Sequence, residues 1–189
     1  MNFSAGSQSA IASARQVLAN APVYLDTETT GVSTQDEIIE ISILDSDGAL
    51  LLDQLIRPTK KIPPEAIAIH NITNDQVAVA PFLPYVWQSI KSILNNRIIA
   101  AYNADFDIRL LKQSLALYNI QWQAPINQFC IMKCYAQFRG DWDPRRRSYR
   151  YVSLDVAGKQ CGITLPNSHR AQADALLARE ILLYIAHQN

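Results

Sequence analysis

Four acidic side chains and one histidine occur in three short segments of this chain, with the types and spacing of a metal-dependent catalytic site. Asp26 and Glu28 lie in V-Y-L-D-T-E-T-T-G, Asp107 in A-Y-N-A-D-F-D, and His169 and Asp174 in S-H-R-A-Q-A-D-A. Each acid stands where the hydrophobic pattern predicts an inward side chain, and a buried ionised carboxylate is costly unless a cation meets it. Carboxylates that converge with a histidine are typical of two-metal sites that cleave phosphodiesters. We therefore expect a two-metal hydrolytic site.

On a strand, residues two apart share one face, so Asp26 and Glu28 are expected to point the same way, about 7 Å apart. Val23 and Leu25 then point to the other face, into the packing of the sheet. The alternative is a strand end that exposes both acids to water. The apolar run before them and the Gly31 turn after them favour the first interpretation.

Helical geometry separates Asp107 from Asp105. Steps of three and four residues from Asp107 reach an apolar stripe formed by Leu110, Leu111, Ser114 and Tyr118. The same steps from Asp105 reach a solvated face formed by Arg109, Lys112 and Ala116, where a surface ion pair has little energetic weight. Asp107 is therefore predicted to be the buried acid, and Asp105 a residue at the start of the helix.

Asp174 repeats this pattern at the head of the last predicted helix, whose apolar stripe contains Leu177, Ala178, Ile181 and Ile185. His169 is expected in the loop that enters this helix, because Asn167 and Ser168 precede it and five residues separate it from Asp174. A lone histidine is more often structural than catalytic. The neighbouring acids favour the catalytic interpretation of this one.

The whole chain has the composition of a globular protein with one substantial core. It has 189 residues, 49% of them hydrophobic, and 17 basic residues balance 17 acidic ones. The balance argues against massive non-specific duplex binding but not against a nucleic-acid enzyme, because divalent ions neutralise an acidic pocket. No apolar run approaches the length of about 18 residues that a membrane span requires.

Cysteine usage predicts a reducing cytoplasm. Cys130, Cys134 and Cys161 are odd in number and form no Cys-x-x-Cys pair, and the chain has only three histidines. Neither a disulfide framework nor a structural zinc site is indicated.

The predicted elements give an α/β fold, in which a mixed five-stranded sheet is flanked by helices. An antiparallel meander is predicted first and parallel strands after it. Residues 1–20 predict an amphipathic lead-in helix, and residues 21–189 a single catalytic domain. Strands are predicted at 22–27, 37–45, 49–56, 97–102 and 128–131, and helices from 103 to about 118 and at 131–137, 153–161 and 171–186.

In these motifs the chain closely resembles the DEDD superfamily of 3′→5′ exonucleases, which has a ribonuclease H-like fold. The match is to the histidine branch (DEDDh), typified by the proofreading subunits of bacterial replicative polymerases. D-T-E resembles the first motif, N-A-D-F-D the second, and H-R-A-Q-A-D the third; I-H-N-I-T from Ile69 resembles a further conserved stretch of the family. The tyrosine branch would have Tyr where this chain has Arg170. Four motifs in order make the resemblance specific.

The resemblance implies two divalent ions, Mg²⁺ or Mn²⁺, held by the four carboxylates. It implies that His169 is the general base, a role for which imidazole is suited. It also implies a substrate pocket formed by the backbone of Thr29, by Val32 as a wedge against the terminal bases, and by His70, Asn103 and Phe106.

Two features depart from the family pattern. Tyr102 stands where the family often has His before the second motif, which affects substrate contacts rather than metal ligation. Residues 138–151 form a longer and more basic loop than the fold needs. Its members that suit phosphate tracking and base stacking are Arg145, Arg146, Arg147, Arg150, Trp142, Tyr149 and Tyr151. The alternative is a solvated loop whose charge Asp141 and Asp143 partly offset.

The sequence therefore predicts a metal-dependent 3′→5′ exonuclease that releases nucleoside 5′-monophosphates from single-stranded 3′ ends, with a polymerase or repair partner. DNA is favoured over RNA by the proofreading-like first motif, and an oligoribonuclease-like role is the alternative. A non-catalytic nucleic-acid-binding module would be favoured if one of the four acids were replaced. An unrelated α/β protein with surface ion pairs conflicts with the inward placement of Asp107 and Asp174.

Overall fold

A computed structural model describes residues 4–123, 126–164 and 169–189, in which eight helices and seven strands are assigned. In chain order these are α1 (Ala5–Ala19), β1 (Val23–Thr29), β2 (Ile38–Leu44), β3 (Leu50–Leu55), α2 (Pro64–His70), α3 (Asn74–Ala78), α4 (Leu83–Leu94), β4 (Ile98–Ala101), α5 (Ala104–Ala116), β5 (Asn127–Cys130), α6 (Ile131–Arg139), β6 (Trp142–Asp143), β7 (Ser148–Tyr149), α7 (Leu154–Gln160) and α8 (Ala171–Ala186). Asn167 and Ser168, which the sequence placed in the loop before His169, lie outside the described residues.

The main sheet has five strands in the order β3-β2-β1-β4-β5. β3 pairs with β2, and β2 with β1, in the antiparallel sense, whereas β1 pairs with β4, and β4 with β5, in parallel. This confirms the predicted mixed sheet with a meander followed by parallel strands. The central strand β1 continues two residues beyond the predicted limit, to Thr29, because its pairing with β2 extends that far.

Alternation along β1 divides the core into two layers. Val23 and Leu25 pack with α4 and α5 on one face of the sheet, as predicted. Tyr24 packs on the other face with α1, α6 and α8. All seven residues of β2 are buried, since helices or loops cover both of its faces. The carboxyl end of β1 is therefore held rigidly between packed layers.

Asp107 and Asp105 take the two environments predicted for them. Asp107 is buried near the start of α5, and the stripe that follows it along α5 is buried as well. Asp105 is exposed, and its carboxylate lies 2.5 Å from Nζ of Lys133 rather than beside Arg109 or Lys112. The expected ion pair within α5 was wrong because Lys133 of α6, 28 residues further along the chain, reaches the carboxylate instead.

The basic segment predicted as a loop contains a short hairpin. Trp142 and Asp143 pair antiparallel with Tyr149 and Ser148, and the Trp142 and Tyr149 rings meet edge to face at 5.2 Å. Strands of two residues are too short for a period-two pattern, so alternation gave no signal.

Among the described helices, none is both long and apolar enough to cross a membrane.

A serine of α5 completes the hydrogen bonding at an irregularity between β1 and β2. The register shifts between Glu28 and Thr29, and the buried amide of Ile38 donates to Oγ of Ser114 at 3.0 Å instead of to a strand.

We expect Ser114→Ala to lower the free energy of unfolding by about 1–3 kcal/mol, because a buried N–H loses its acceptor. Denaturant unfolding of both proteins measures this. The exposed helical Ser92→Ala is the control, and equal losses in both variants would contradict the assignment.

Candidate active site

Three of the predicted acids meet at the carboxyl end of β1. Asp26 and Glu28 lie on the β1 face that α8 covers, and Asp174 lies in the first turn of α8. Each offers a carboxylate oxygen, and these oxygens all lie within 4.8 Å of one another. Strand β1 supplies Asp26 and Glu28 at a fixed spacing, and helix α8, which packs on that face of the sheet, supplies Asp174.

Asp107 approaches this group from α5. Its side chain is 3% exposed, and Oδ1 accepts a hydrogen bond of 2.8 Å from Oγ1 of Thr27. Thr27 lies between Asp26 and Glu28 on β1, so the bond ties the second motif to the first. Asp107 is not one of the three acids whose oxygens lie within 4.8 Å, but its charge acts on Asp26.

The environment disfavours the ionised form of all four acids. Burial raises the pKa of Glu28 to about 8, and the neighbouring carboxylates of Asp174, Glu40 and Asp107 raise it further, whereas Arg170 opposes the rise. Burial raises the pKa of Asp107 to about 7 against the hydrogen bond from Thr27, and that of Asp174 to about 6. Burial and the other carboxylates raise the pKa of Asp26 well above its usual value.

These residues fit a divalent cation. Oδ1 of Asp174 is buried without a hydrogen-bond partner among the described residues, although buried polar atoms are normally satisfied. A cation would satisfy that oxygen and favour the ionised form of the clustered acids. Carboxylate oxygens are hard ligands, which suit Mg²⁺ and Mn²⁺.

His169 lies at the entrance to α8, as predicted. Its side chain is exposed, and its charge lowers the pKa of Asp174, which places the two groups within electrostatic range. Its φ of +45° is in the left-handed region, which a non-glycine residue adopts only when neighbouring contacts support it.

The residues implied for the substrate pocket differ in accessibility. Thr29 is buried, and its hydroxyl donates to the carbonyl of Gly31 at 2.7 Å. Val32 is 76% exposed, Asn103 is exposed and Phe106 is half-buried. An apolar side chain as exposed as Val32 is available for contact with a ligand.

His70 is almost fully buried beside Thr29. Its Nδ1 accepts a hydrogen bond of 3.0 Å from the amide of Ile72, so Nε2 carries the proton of the neutral ring. Nε2 has no hydrogen-bond partner of normal geometry among the described residues, although the Thr29 backbone is close enough to raise the pKa of the ring. Burial outweighs this and lowers that pKa overall.

Arg109, which helical periodicity places on a solvated face, makes contacts at that face that the sequence does not indicate. Its guanidinium lies 5.3 Å from the centroid of the Phe106 ring and donates to the carbonyl of Val32 at 3.2 Å. Gln113 donates to the carbonyl of Ser33 in the same loop at 3.1 Å. Loop 31–36 is therefore fastened to α5, and no periodicity in the sequence indicates a contact between segments so far apart.

From the sequence, Arg170 indicates only that the chain does not resemble the tyrosine branch, which has Tyr at this position. In the fold, its guanidinium pairs with the buried carboxylate of Glu40 on β2, which no motif singled out. Glu40 read as one polar residue in an apolar strand, and the sequence carries no signal of its partner.

Comparison with known proteins adds to this geometry. The sequence model of the exonuclease family described as "RNase_T: Exonuclease" matches residues 23–182. An uncharacterized exonuclease of Escherichia phage 186, CP81, is 34% identical over 89% of this chain and 90% of its own length. The DNA polymerase III subunit epsilon of Treponema pallidum is 30% identical over 86% of this chain and 75% of its own length.

A solved structure of exonuclease X in complex with 5′-overhanging duplex DNA has the same fold. It superposes with a TM-score of 0.60 at 28% identity and covers 88% of this chain and 93% of that one. The family match, the relatives and the fold agree with the ribonuclease H-like architecture inferred from the motifs. The chain therefore belongs to the RNase T-type exonuclease family and is a 3′→5′ exonuclease.

Proposed function

We propose that this enzyme hydrolyses single-stranded DNA from its 3′ end with the help of divalent ions and releases nucleoside 5′-monophosphates. The observation that carries the proposal is the convergence of Asp26, Glu28 and Asp174 within 4.8 Å, with Asp107 bonded to the same strand. An acidic pocket of this kind repels a phosphodiester unless cations occupy it. With cations bound, it attracts the phosphate that it is to cleave.

The four carboxylates would hold two ions, Mg²⁺ or Mn²⁺, which supply Lewis-acid activation of water and of the scissile phosphate when bound. His169 would take the proton of the attacking water. Its place at the entrance to α8 supports this role, because it lies within electrostatic range of Asp174 without being enclosed by the core.

The terminal nucleotide would lie between the carboxyl end of β1 and the start of α5. The backbone of Thr29 and the proton on Nε2 of His70 supply polar contacts there, and Asn103 supplies an exposed amide. Val32 and Phe106 supply apolar surface for the bases. The exposure of Val32 supports a wedge, since folding leaves that side chain without a packing role.

DNA is proposed as the substrate because one relative is a DNA polymerase subunit and one similar structure is an exonuclease bound to DNA. Such relatives also make a polymerase or repair partner our working hypothesis. RNA is the alternative substrate and is decided by the assay below.

The hairpin of β6 and β7, with the residues that flank it from Asp141 to Tyr151, is proposed to contact the strand upstream of the scissile bond. Tyr102, which precedes Asn103, donates to the carbonyls of Val152 and Ser153 at 2.9 and 3.1 Å. The end of the hairpin segment is thereby fastened beside the second motif.

The charges of the hairpin are only partly neutralised. Arg150 lies within 4 Å of the carboxylates of Asp141 and Asp143. For Arg145, Arg146 and Arg147, no carboxylate of the described residues lies that close, and all three are exposed. Together with the exposed aromatic residues Trp142 and Tyr151, they give this segment basic and aromatic surface, which suits a single strand.

The function is tested with single-stranded DNA and RNA of one sequence that carry a 3′-terminal label. We expect labelled nucleoside 5′-monophosphate from the first turnover with Mg²⁺ and none with chelator. Asp107→Ala should lower the rate by more than about a hundredfold, because a buried acid of the metal pocket is lost. Asp105→Ala is the matched control and should change the rate less than about threefold, because its ion pair with Lys133 is on the surface.

Label released as an oligonucleotide, or activity that survives the chelator, would contradict the proposed reaction. Faster release from RNA would assign the site to RNA. Equal loss in Asp105→Ala and Asp107→Ala would show that burial does not separate their roles.

The raised carboxyl pKa values predict how metal-free stability depends on pH. Above about pH 5 the carboxyl groups of the unfolded chain have lost their protons, because their ordinary pKa is near 4, whereas the buried acids of the folded protein still hold theirs. The free energy of unfolding should therefore fall as the pH rises from about 5 to 8. Mg²⁺ should therefore raise the Tm more at pH 8 than at pH 5. Glu28→Gln should flatten both dependences, whereas the exposed Glu65→Gln should keep them. Thermal unfolding with and without Mg²⁺ measures this, and a Glu28→Gln profile equal to wild type would count against the buried site.

The hairpin contact predicts a change in salt dependence. Replacement of Arg145, Arg146 and Arg147 by Ala should weaken binding of single-stranded DNA and reduce the slope of log K against log salt by about 2, since fewer counterions are released. Turnover at saturating DNA should change little. The triple Lys variant, which keeps the charge, is the matched control and should keep the slope. An unchanged slope in the triple Ala variant would identify the hairpin as a solvated surface.

A further inference from the structure

Glu40 is a fully paired buried carboxylate beside the proposed metal pocket. It is 1% exposed and lies on β2 directly opposite Glu28. Its oxygens accept hydrogen bonds from Nε of Arg170 at 3.0 and 3.1 Å, and Oε1 also accepts from Nη2. Oε2 accepts from the amide of Ala171 at 2.9 Å. The carboxylate therefore binds both the guanidinium and the first amide of α8.

Arg170 is connected to both functional residues of the third motif. His169 precedes it by one peptide bond and has the left-handed φ of +45°. The amide of Asp174 donates to the carbonyl of Arg170 at 3.1 Å in the first turn of α8. Whatever fixes Arg170 therefore fixes the backbone from which both His169 and Asp174 project.

We propose that Glu40 and Arg170 form a positioning pair that fixes His169 and Asp174 relative to the acids of β1. The proposal rests on the proposed function, since it concerns the geometry of that same site. The pair bridges the sheet that carries Asp26 and Glu28 and the helix that carries Asp174. A planar guanidinium that meets both oxygens of a carboxylate sets direction as well as distance, and Glu40 has little freedom to move on a buried strand.

The pair also suits a pocket that is already crowded with negative charge. Glu40 and Arg170 together are neutral, so they orient the third motif without adding net charge next to Glu28. An apolar contact would orient α8 less specifically, and an unpaired Glu40 would add a fifth buried negative charge.

Arg170 is 43% exposed, so the alternative role is direct contact with the substrate phosphate. The two roles differ in what they change. A positioning residue acts on the rate constant at saturating substrate, whereas a phosphate contact acts first on binding. Glu40 is buried and has no access to substrate. A lower rate constant in Glu40→Gln would therefore support positioning rather than contact with the substrate phosphate.

The test compares Glu40→Gln, Arg170→Ala, Arg170→Lys and the double variant Glu40→Gln/Arg170→Ala in single-turnover cleavage of saturating DNA. Each single change should lower the rate constant about 10- to 100-fold with a DNA Kd within about twofold, because small displacements of catalytic groups are costly. Arg170→Lys should not restore the rate, because an ammonium group cannot bind both oxygens in one plane. The double variant should be no slower than Arg170→Ala, since the residues act through one contact.

A second measurement does not depend on activity. The chain has three histidines, His70, His169 and His187, so its imidazole NMR spectrum is simple. The His169 signal, assigned with His169→Gln, should shift or broaden in Glu40→Gln and Arg170→Ala while that of His187 stays. If the wild-type protein is inactive, only the proposed reaction is overturned. The NMR comparison does not depend on activity and still tests whether Glu40 and Arg170 position His169.

Arg97→Ala is the matched control for loss of an ion pair. Arg97 binds Asp45 at 2.6 Å at the opposite end of β1, so its loss should lower the Tm without changing the rate constant or the His169 signal. The positioning role is overturned if Arg170→Ala weakens DNA binding with an unchanged rate constant while Glu40→Gln has no effect. It is also overturned if both variants behave like Arg97→Ala.

Discussion

Repulsion among carboxylates that share a poorly solvated pocket is the constraint on which this structure depends. Without cations, each charge at Asp26, Glu28, Asp107 and Asp174 disfavours the others, and the partial burial of the group limits how well water screens them. The fold holds them together because they project from elements that are packed into the core. These are the carboxyl end of the central strand and the first turns of two helices that pack on opposite faces of the sheet.

The same constraint explains the polar residues around the pocket. Thr27 donates to Asp107 without adding charge, and Arg170 neutralises Glu40. Thr27 satisfies one oxygen of Asp107, but both interactions leave Oδ1 of Asp174 without a partner among the described residues. The surroundings thus stabilise the scaffold of the pocket while at least one of its carboxylate oxygens stays unsatisfied. The free energy of metal binding can then serve both to complete the site and to stabilise the protein.

The sequence predicted the sheet and the inward acids because both depend on local periodicity. Alternation placed Asp26 and Glu28 on one face, and the helical stripe from Asp107 through Ser114 separated it from Asp105. Contacts that join distant segments have no such signal. Arg109 reaches a loop that precedes it by more than seventy residues, and the partner of Arg170 lies 130 residues away. Only the fold brings such residues together.

The fastening of Val32 has a consequence for its proposed role as a wedge. Arg109 and Gln113 hold its loop, so the conformational entropy of ordering the wedge is lost when the protein folds rather than when DNA binds. If this wedge meets a base-paired 3′ end, the free energy required is that of separating the strands of the duplex, because the protein does not have to rearrange. A mismatched terminus frays at a lower cost in free energy than a paired one. In its proposed role, the wedge would therefore favour mismatched over paired ends without a hydrogen bond that reads a base.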